Sequence, residues 1–181
     1  MGLFRRTSKL PADRRPALDR DERVLAWAEA SGTGEAGAGP ARPVVVTNLG
    51  LWLPGREHRL GWHDVHKAVW SGRELTVTPA ERVAERDGYL VVADRPVETY
   101  LLLEPGDVPE QVRARVTRSV GYTAHHPLDS GGVRVVGRRV AGVDGLSWAV
   151  RYDAGTPADD PAVVEATDQL VAAARAAVVP R

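Results

Sequence analysis

Short runs of apolar residues, each ended by Gly, Pro, Asn or Asp, recur through the first two thirds of the chain. They are rich in β-branched and aromatic residues, which favours strands over helices. Regular short strands joined by tight turns predict an antiparallel meander. Ser71 and Gly72 are predicted to form a two-residue hairpin turn. The segments predicted as strands are PVVVTN (43–48), LGLWLPG (49–55), HDVHKAVW (63–70), RELTVTP (73–79), GYLVVAD (88–94) and VETYLLLE (97–104).

Two stretches before this meander have different patterns. DERVLAWAEA (21–30) suits either a helix, through its Ala, Leu and Glu, or a strand, through its alternation. SGTGEAGAGPAR (31–42) is rich in glycine and is predicted to be a loop.

A helix is predicted after the meander. Asp107 is placed to cap it, and Glu110 three residues later completes a capping box. Four valines follow at every fourth position and form one apolar stripe, which the preceding sheet would cover. They are Val108, Val112, Val116 and Val120.

The last third of the chain predicts two strands and a helix. GGVRVVGRRV (131–140) and GLSWAVRYD (145–153) flank a Gly- and Asp-containing turn. Asp160 is the expected N-cap of the helix, with Pro161 at its first position. Its predicted buried face is Val163, Leu170, Val171, Ala174 and Val178.

Composition and charge exclude several classes of protein. The 181 residues include no cysteine, which excludes disulfides, thiolate metal sites and a cysteine nucleophile. The absence of cysteine suits a reducing cytoplasm, so a cytoplasmic location, with membrane association through the arm, is expected. No apolar run is long enough to span a bilayer. The 24 basic and 24 acidic residues balance, whereas a duplex-binding domain usually has a basic excess. Residues 1–20 hold six basic and two acidic residues and are predicted to form a flexible basic arm.

Three features carry a resemblance to a known fold. A strand ends in Thr47–Asn48, a second apolar strand spans Leu51–Leu53, and Trp62–Asp64–Val65 follows. In this order, with a closing helix, residues 21–120 resemble the pleckstrin-homology-like (PH-like, GRAM-type) domains of bacteria. The resemblance implies an α+β fold: a PH-like antiparallel β-sandwich or barrel capped by a helix, then a β-hairpin and a C-terminal helix.

The resemblance also implies a division of the chain. Residues 1–20 are the arm, 21–120 the PH-like domain, and 121–181 a ββα extension packed on it. The C-terminal third is similar to a group of actinobacterial proteins of unassigned function. This similarity implies that RVLAWA is a first strand. PH domains that bind phosphoinositides carry Lys and Arg around the loop between their first two strands, but the corresponding loop (31–42) has only Arg42 at its edge.

Histidines are the most obvious candidates for chemistry. His63 and His66 cannot share a metal ion if 64–70 is a strand, because an odd spacing sends the side chains to opposite faces. Asp64 and His66 would share a face and form a pair. His125 and His126 lie in TAHHPLDSGG, which is predicted to be a loop. No serine lies in a nucleophile elbow, and no glycine motif suits phosphate cradling.

The sequence therefore predicts a non-catalytic cytoplasmic binding or scaffolding module, with a protein partner and no catalytic residue, metal or cofactor. Its basic arm would touch an anionic membrane or the partner. The contact residues are Leu3, Phe4, Arg5, Arg6 and Lys9. One alternative is a metal-assisted hydrolase that uses His63, His66, His125 and His126; a further alternative is a nucleic-acid binder.

Overall fold

The structure, a computed structural model, describes residues 9–33 and 42–178. The chain divides into two compact units. Unit 1 comprises Met1–Pro79 and Pro96–Thr117, and unit 2 comprises Ala80–Arg95 and Arg118–Arg181. The architecture is mixed α+β, as predicted, with eleven strands and two α-helices in the described part.

The strands are β1 Val24–Thr33, β2 Arg42–Thr47, β3 Gly50–Trp52, β4 Leu60–Gly61, β5 Val65–Trp70, β6 Glu74–Arg86, β7 Tyr89–Asp94, β8 Glu98–Leu102, β9 Val120–Leu128, β10 Gly131–Arg138 and β11 Ser147–Tyr152. The helices are α1 Val108–Ser119 and α2 Pro161–Ala177. None of the described helices is long and apolar enough to span a membrane.

Unit 1 is an antiparallel sheet in the order β4-β3-β2-β1-β8-β6-β5, to which β6 contributes its first half. All six predicted strand segments contain a strand. RVLAWA lies in β1, which pairs with β2 on one side and β8 on the other. The pairing with β2 covers residues 24–30 and the pairing with β8 covers residues 30–33, so the predicted loop at 31–33 is strand. Residues 34–41 lie outside the described residues.

The core of unit 1 receives side chains from the strands and from α1. Val44, Val46, Leu51 and Val77 are almost completely buried there. Val108 and Val112 of α1 join them, and Val116 packs at the edge. Val120 does not extend this stripe: α1 ends at Ser119, and Val120 begins β9, where it pairs with Arg138.

The turn between β5 and β6 lies one residue later than predicted. Trp70 pairs with Leu75, and Ser71 and Glu74 are joined by the Ser71 N–H and the Glu74 carbonyl. Gly72 and Arg73 are therefore the central residues. Gly72 has a φ of +93°, which favours glycine at the first of these positions.

Unit 2 is a sheet in the order β6-β7-β11-β10-β9, here with the second half of β6. Only the β7–β11 pairing is parallel. α2 covers a core that includes Tyr89, Val135, Trp148 and Val150. Val163, Val171 and Ala174 are buried and Leu170 is partly buried, as predicted. Val178 is not buried: it is the C-cap residue and 37% exposed.

The ββα unit predicted for 121–181 is incomplete. Residues 120–128 form β9, which pairs along its length with β10, so His125 and His126 lie on a strand and not in a loop. Residues 80–86 also form strand, although their sequence AERVAER is polar and has no apolar alternation. Residues 80–95 consequently belong to the same compact unit as 118–181, and no division at residue 120 alone describes the chain.

Candidate anion-binding pocket

A buried carboxylate organises one end of unit 1. The Glu22 side chain is 0% exposed, and a carboxylate without partners at such a place would be strongly unfavourable. Its Oε1 atom accepts hydrogen bonds from the Thr47 hydroxyl at 2.6 Å and the Trp52 indole N–H at 2.9 Å. Its Oε2 atom accepts from Arg59 at 2.5 Å and from the Asp19 backbone N–H at 3.1 Å. Four donors thus satisfy both oxygens.

The residues that carry the family resemblance have structural roles around Glu22. The Thr47 hydroxyl also lies within 3.0 Å of the Gly50 N–H, which fixes the turn after β2. Asn48 accepts from the Arg23 N–H at 2.6 Å and donates to the Asp21 carbonyl at 3.1 Å. The Trp62 indole N–H donates to the Thr47 carbonyl at 3.1 Å. Their contacts hold the entry into β1 against the β2–β3 turn.

Residues 9–20 pack on unit 1, so the prediction of a flexible arm over residues 1–20 is wrong for these positions; residues 1–8 lie outside the described residues. Leu10 is only 4% exposed. Arg14, in a 3-10 turn at Ala12–Arg14, forms an ion pair with Glu29 of β1 at 2.7 Å. Asp19 lies 2.9 Å from Arg59. Of the predicted contact residues, Lys9 is exposed, while Leu3, Phe4, Arg5 and Arg6 lie outside the described residues.

The segment before β1 forms one wall of a cavity of about 440 Å³ in unit 1. This volume lies within the usual range for ligand pockets. Trp52 and Leu53, at the end of β3, contribute apolar surface. Asp13 is the one carboxylate among the lining residues. Four arginines also line the cavity: Arg14, Arg15, Arg42 and Arg56.

The four arginines differ in their partners. Arg56 donates twice to Glu98, at 3.1 and 2.5 Å, and this hydrogen bonding raises its pKa. Glu98 also accepts from the buried Tyr100 hydroxyl at 2.6 Å. Burial, followed by this hydrogen bond, raises the pKa of Tyr100 well above its ordinary value. Arg14 is paired with Glu29.

Arg15 and Arg42 are exposed and have no ion-pair partner within 9–33 and 42–178. No carboxylate of the described residues forms an ion pair with these two charges. A guanidinium binds carboxylate or phosphate through two parallel N–H donors, so this pocket, which we call the arginine pocket, can accept an anionic group.

The sequence of the loop between β1 and β2 does not predict this pocket. That loop supplies only Arg42 at its edge, as the sequence indicates. The other guanidiniums come from the segment before β1 and from the connection between β3 and β4. No local pattern brings these segments together. The clustering of arginines between residues 5 and 23 was the only sequence signal.

The histidines are placed differently from the prediction in two respects. His63 lies in a 3-10 turn, Trp62–Asp64, so the extended chain begins at Val65 and not earlier. Asp64 consequently does not share a strand face with His66; its carboxylate lies 3.2 Å from Nε2 of His63. On β9, His125 is exposed and lies 2.8 Å from Asp153, whereas His126 is half-buried. Within 9–33 and 42–178, no three His, Asp or Glu side chains are grouped so that they could hold a metal ion.

Other polar candidates have structural roles. Asp160 caps α2, accepting from the Ala162 N–H at 2.9 Å, as predicted. The Ser119 hydroxyl accepts from Arg138 at 2.8 Å.

Comparison with known proteins adds no relative. No protein-family model, no curated protein and no solved structure matches this chain.

Proposed function

We propose that this chain is a non-catalytic binding module, in which the arginine pocket of unit 1 receives an acidic group of a protein partner. The observation that carries the proposal is that four arginines line one cavity, two of them without a described carboxylate partner. Bidentate binding by an Asp or Glu side chain of the partner would satisfy these donors.

The finer fold assignment is also part of this proposal. We infer a PH-like domain in unit 1, followed by the C-terminal elements. Supporting features are the meander from β1 to β4, the all-antiparallel sheet, and the burial of α1 valines in its core. The network of Thr47, Asn48 and Trp62 gives the resemblance a physical basis, because each of these residues holds a turn of the sheet.

The Arg56 side chain is held in place before a ligand binds. Its two hydrogen bonds to Glu98 fix the guanidinium, so little side-chain entropy is lost on binding. Arg15 and Arg42 supply the uncompensated charge, and Trp52 supplies an apolar surface beside it. This arrangement suits an acidic residue that is followed or preceded by an apolar one, as in an acidic peptide segment.

The test uses the full chain and a short Glu-Leu-Glu peptide, followed by NMR of backbone and arginine Nε–H groups. Binding should shift resonances of Arg15, Arg42 and Arg56. The double variant Arg15→Gln/Arg42→Gln should weaken binding about tenfold or more, since it removes the unpaired charges but no described contact. The matched control is Arg20→Gln/Arg73→Gln, which neutralises two exposed arginines of unit 1 that do not line the pocket.

Equal affinity in the two double variants, or no binding by the unaltered chain, would refute the arginine pocket as a site. Vesicles containing phosphatidylserine provide a second arm of the test. A further outcome is that the chain binds these vesicles and not the peptide, and that the Arg15→Gln/Arg42→Gln variant abolishes the vesicle binding. That result would show that the anionic group belongs to a membrane and not to a protein partner. The predicted contact of the basic arm with a membrane, the hydrolase and the nucleic-acid binder stay untested predictions, as does the cytoplasmic location.

A further inference from the structure

A second hollow lies in unit 2 and is independent of the arginine pocket. Its volume is about 440 Å³, and its apolar wall is formed by Val143, Leu146, Trp148 and Val178. Val143 and Val178 are among the exposed large apolar side chains of the chain. A neighbouring hollow of about 360 Å³ shares Leu146 and Trp148, so the apolar wall extends beyond one cavity.

Two glycines allow Leu146 to form this wall. A Cβ atom at Gly121 would lie 2.4 Å from the Leu146 side chain, and one at Gly137 would lie 2.8 Å from it. Any larger residue at these positions of β9 and β10 would push Leu146 away from the sheet. Trp148, which contacts Tyr122 with ring centroids 5.4 Å apart, continues the same surface.

Two arginines line the hollow, and the guanidinium of each donates to backbone carbonyls and not to carboxylates. Arg139 donates to the carbonyls of Arg118 and Val120 at 3.0 and 3.1 Å. Arg175 donates to the carbonyl of Gly88 at 2.6 Å. Carbonyls fix the two side chains but do not neutralise them, and neither arginine has an ion-pair partner in the described part of the chain. Further N–H donors of each guanidinium stay available.

The charge of the lining selects among anions. Among the described residues that line the hollow, Asp144 is the only one with a carboxylate, against Arg139 and Arg175, so this described lining has one positive charge in excess. A single carboxylate complements this excess, whereas a doubly charged phosphate or a dicarboxylate would exceed it. The apolar wall requires that the carboxylate be attached to an apolar body.

From this combination we propose that unit 2 binds a small monocarboxylate with an apolar body, its carboxylate between Arg139 and Arg175 and its apolar part against Leu146 and Trp148. Fatty acids, aryl-alkanoic acids and the C-terminal residue of a peptide share this chemistry. The site does not depend on the arginine pocket, so each proposal stands or fails alone.

The experiment is a calorimetric titration of the full chain with three probes: octanoate, 3-phenylpropanoate and N-acetyl-phenylalanine. Octanamide is the uncharged match of octanoate. We expect at least one carboxylate to bind, and octanamide to bind about tenfold more weakly than octanoate if octanoate is the best ligand. The probe with the highest affinity distinguishes an alkyl acid, an aryl acid and a peptide terminus.

Variants locate the binding in the hollow. Arg139→Gln/Arg175→Gln should raise the dissociation constant of the best probe about tenfold or more, and Asp144→Asn should lower it about twofold to fivefold. Arg82→Gln/Arg95→Gln is the control, because both arginines are exposed in unit 2 and line neither hollow. In addition, the indole N–H resonance of Trp148 should shift when the best probe is added to the unaltered chain. A variant that is merely unfolded would show no such probe-dependent shift.

The proposal is overturned if no carboxylate probe binds at millimolar concentration. It is equally overturned if octanamide matches octanoate in affinity when octanoate is the best probe, or if the Arg139/Arg175 and Arg82/Arg95 variants behave alike.

Discussion

The two units each contain a polar network, but the one in unit 1 surrounds a buried carboxylate and the one in unit 2 reaches the exposed Asp168. In unit 1 the centre is a charged group, Glu22, whose two oxygens accept from four donors that include Arg59. In unit 2 the centre is a hydroxyl: Tyr89 donates to Asp168 of α2 at 2.6 Å. Arg86 approaches the hydroxyls of Tyr89 and Tyr152 at 3.3 and 2.7 Å.

The networks also connect different elements. That of unit 1 joins turns and strand ends, and so fixes the path of the chain into the sheet. That of unit 2 joins the sheet to a helix, because Tyr152 of β11 contacts Thr167 of α2 at 2.8 Å. The difference indicates that loss of the central group should be more costly in unit 1, where several donors lose their acceptor and Arg59 keeps only the exposed Asp19 as ion-pair partner.

The substitution Glu22→Ala should give the largest effect. It removes the acceptor shared by Thr47, the Trp52 indole and Arg59, and we expect a loss of about 3 kcal/mol in the stability of unit 1. Hydrogen exchange of the β2 and β8 amides measures this loss. The control Glu29→Ala removes an exposed carboxylate paired with Arg14 and should cost less than about 1 kcal/mol. Similar exchange rates in the two variants would show that Glu22 is not the centre of the network.

Tyr89→Phe tests the network of unit 2 and should have a smaller effect, about 1.5–3 kcal/mol at neutral pH, through the lost hydrogen bond to Asp168. Burial, helped by Asp168, raises the pKa of Tyr89 to about 12, against an ordinary value of 10.0. The folded state therefore favours the neutral phenol. Its contribution is complete below pH 10 and is lost as the pH rises from about 10 to about 12.

Urea unfolding between pH 7 and pH 12 measures both effects. In the Tyr89→Phe variant the alkaline decline should be shallower, but not absent, because Tyr100 of unit 1 also has a raised pKa. Tyr122→Phe is the control: its hydroxyl has no described hydrogen bond, and the variant should follow the unaltered chain. An unchanged alkaline slope in Tyr89→Phe would contradict the role assigned to this hydroxyl.

Asp160→Ala should have the smallest effect, about 1 kcal/mol, because one backbone N–H of the first turn loses its acceptor. The comparison with Tyr89→Phe then separates two contributions to the stability of α2, that of its N-cap and that of its contact with the sheet. Exchange of the amides at the start of α2 is the measurement. Asp159→Ala, one residue earlier, removes an equal charge without a described cap and should change exchange less.

Local chemistry explains which elements the sequence could predict. Every predicted strand segment contains a strand. The alternation of β-branched and aromatic residues that predicts a strand can be recognised within a few neighbouring positions. The cap and first residue of α2 were equally clear, since Asp160 and Pro161 act within one turn. Elements without such a pattern were missed. Residues 80–86 are polar, and they form a strand because β7 pairs with them.

The candidate site was less predictable than the fold. Each arginine of the pocket lies in an ordinary polar segment, and only the approach of the segment before β1 to β2 and the β3–β4 connection gives them a common cavity. The same is true of the hollow in unit 2, where Arg139 and Arg175 are thirty-six positions apart in the sequence.

The sequence by itself determined the α+β class, most of the strands, the cap of α2 and the absence of cysteine chemistry, because propensity, alternation and composition act locally along the chain. Only the tertiary structure decided that His125 and His126 lie on a strand, that residues 80–95 join the C-terminal elements, and that arginines gather at two cavities. These features depend on pairing and burial between distant segments. Their energies arise only when both segments are in place, so neither segment alone reveals them.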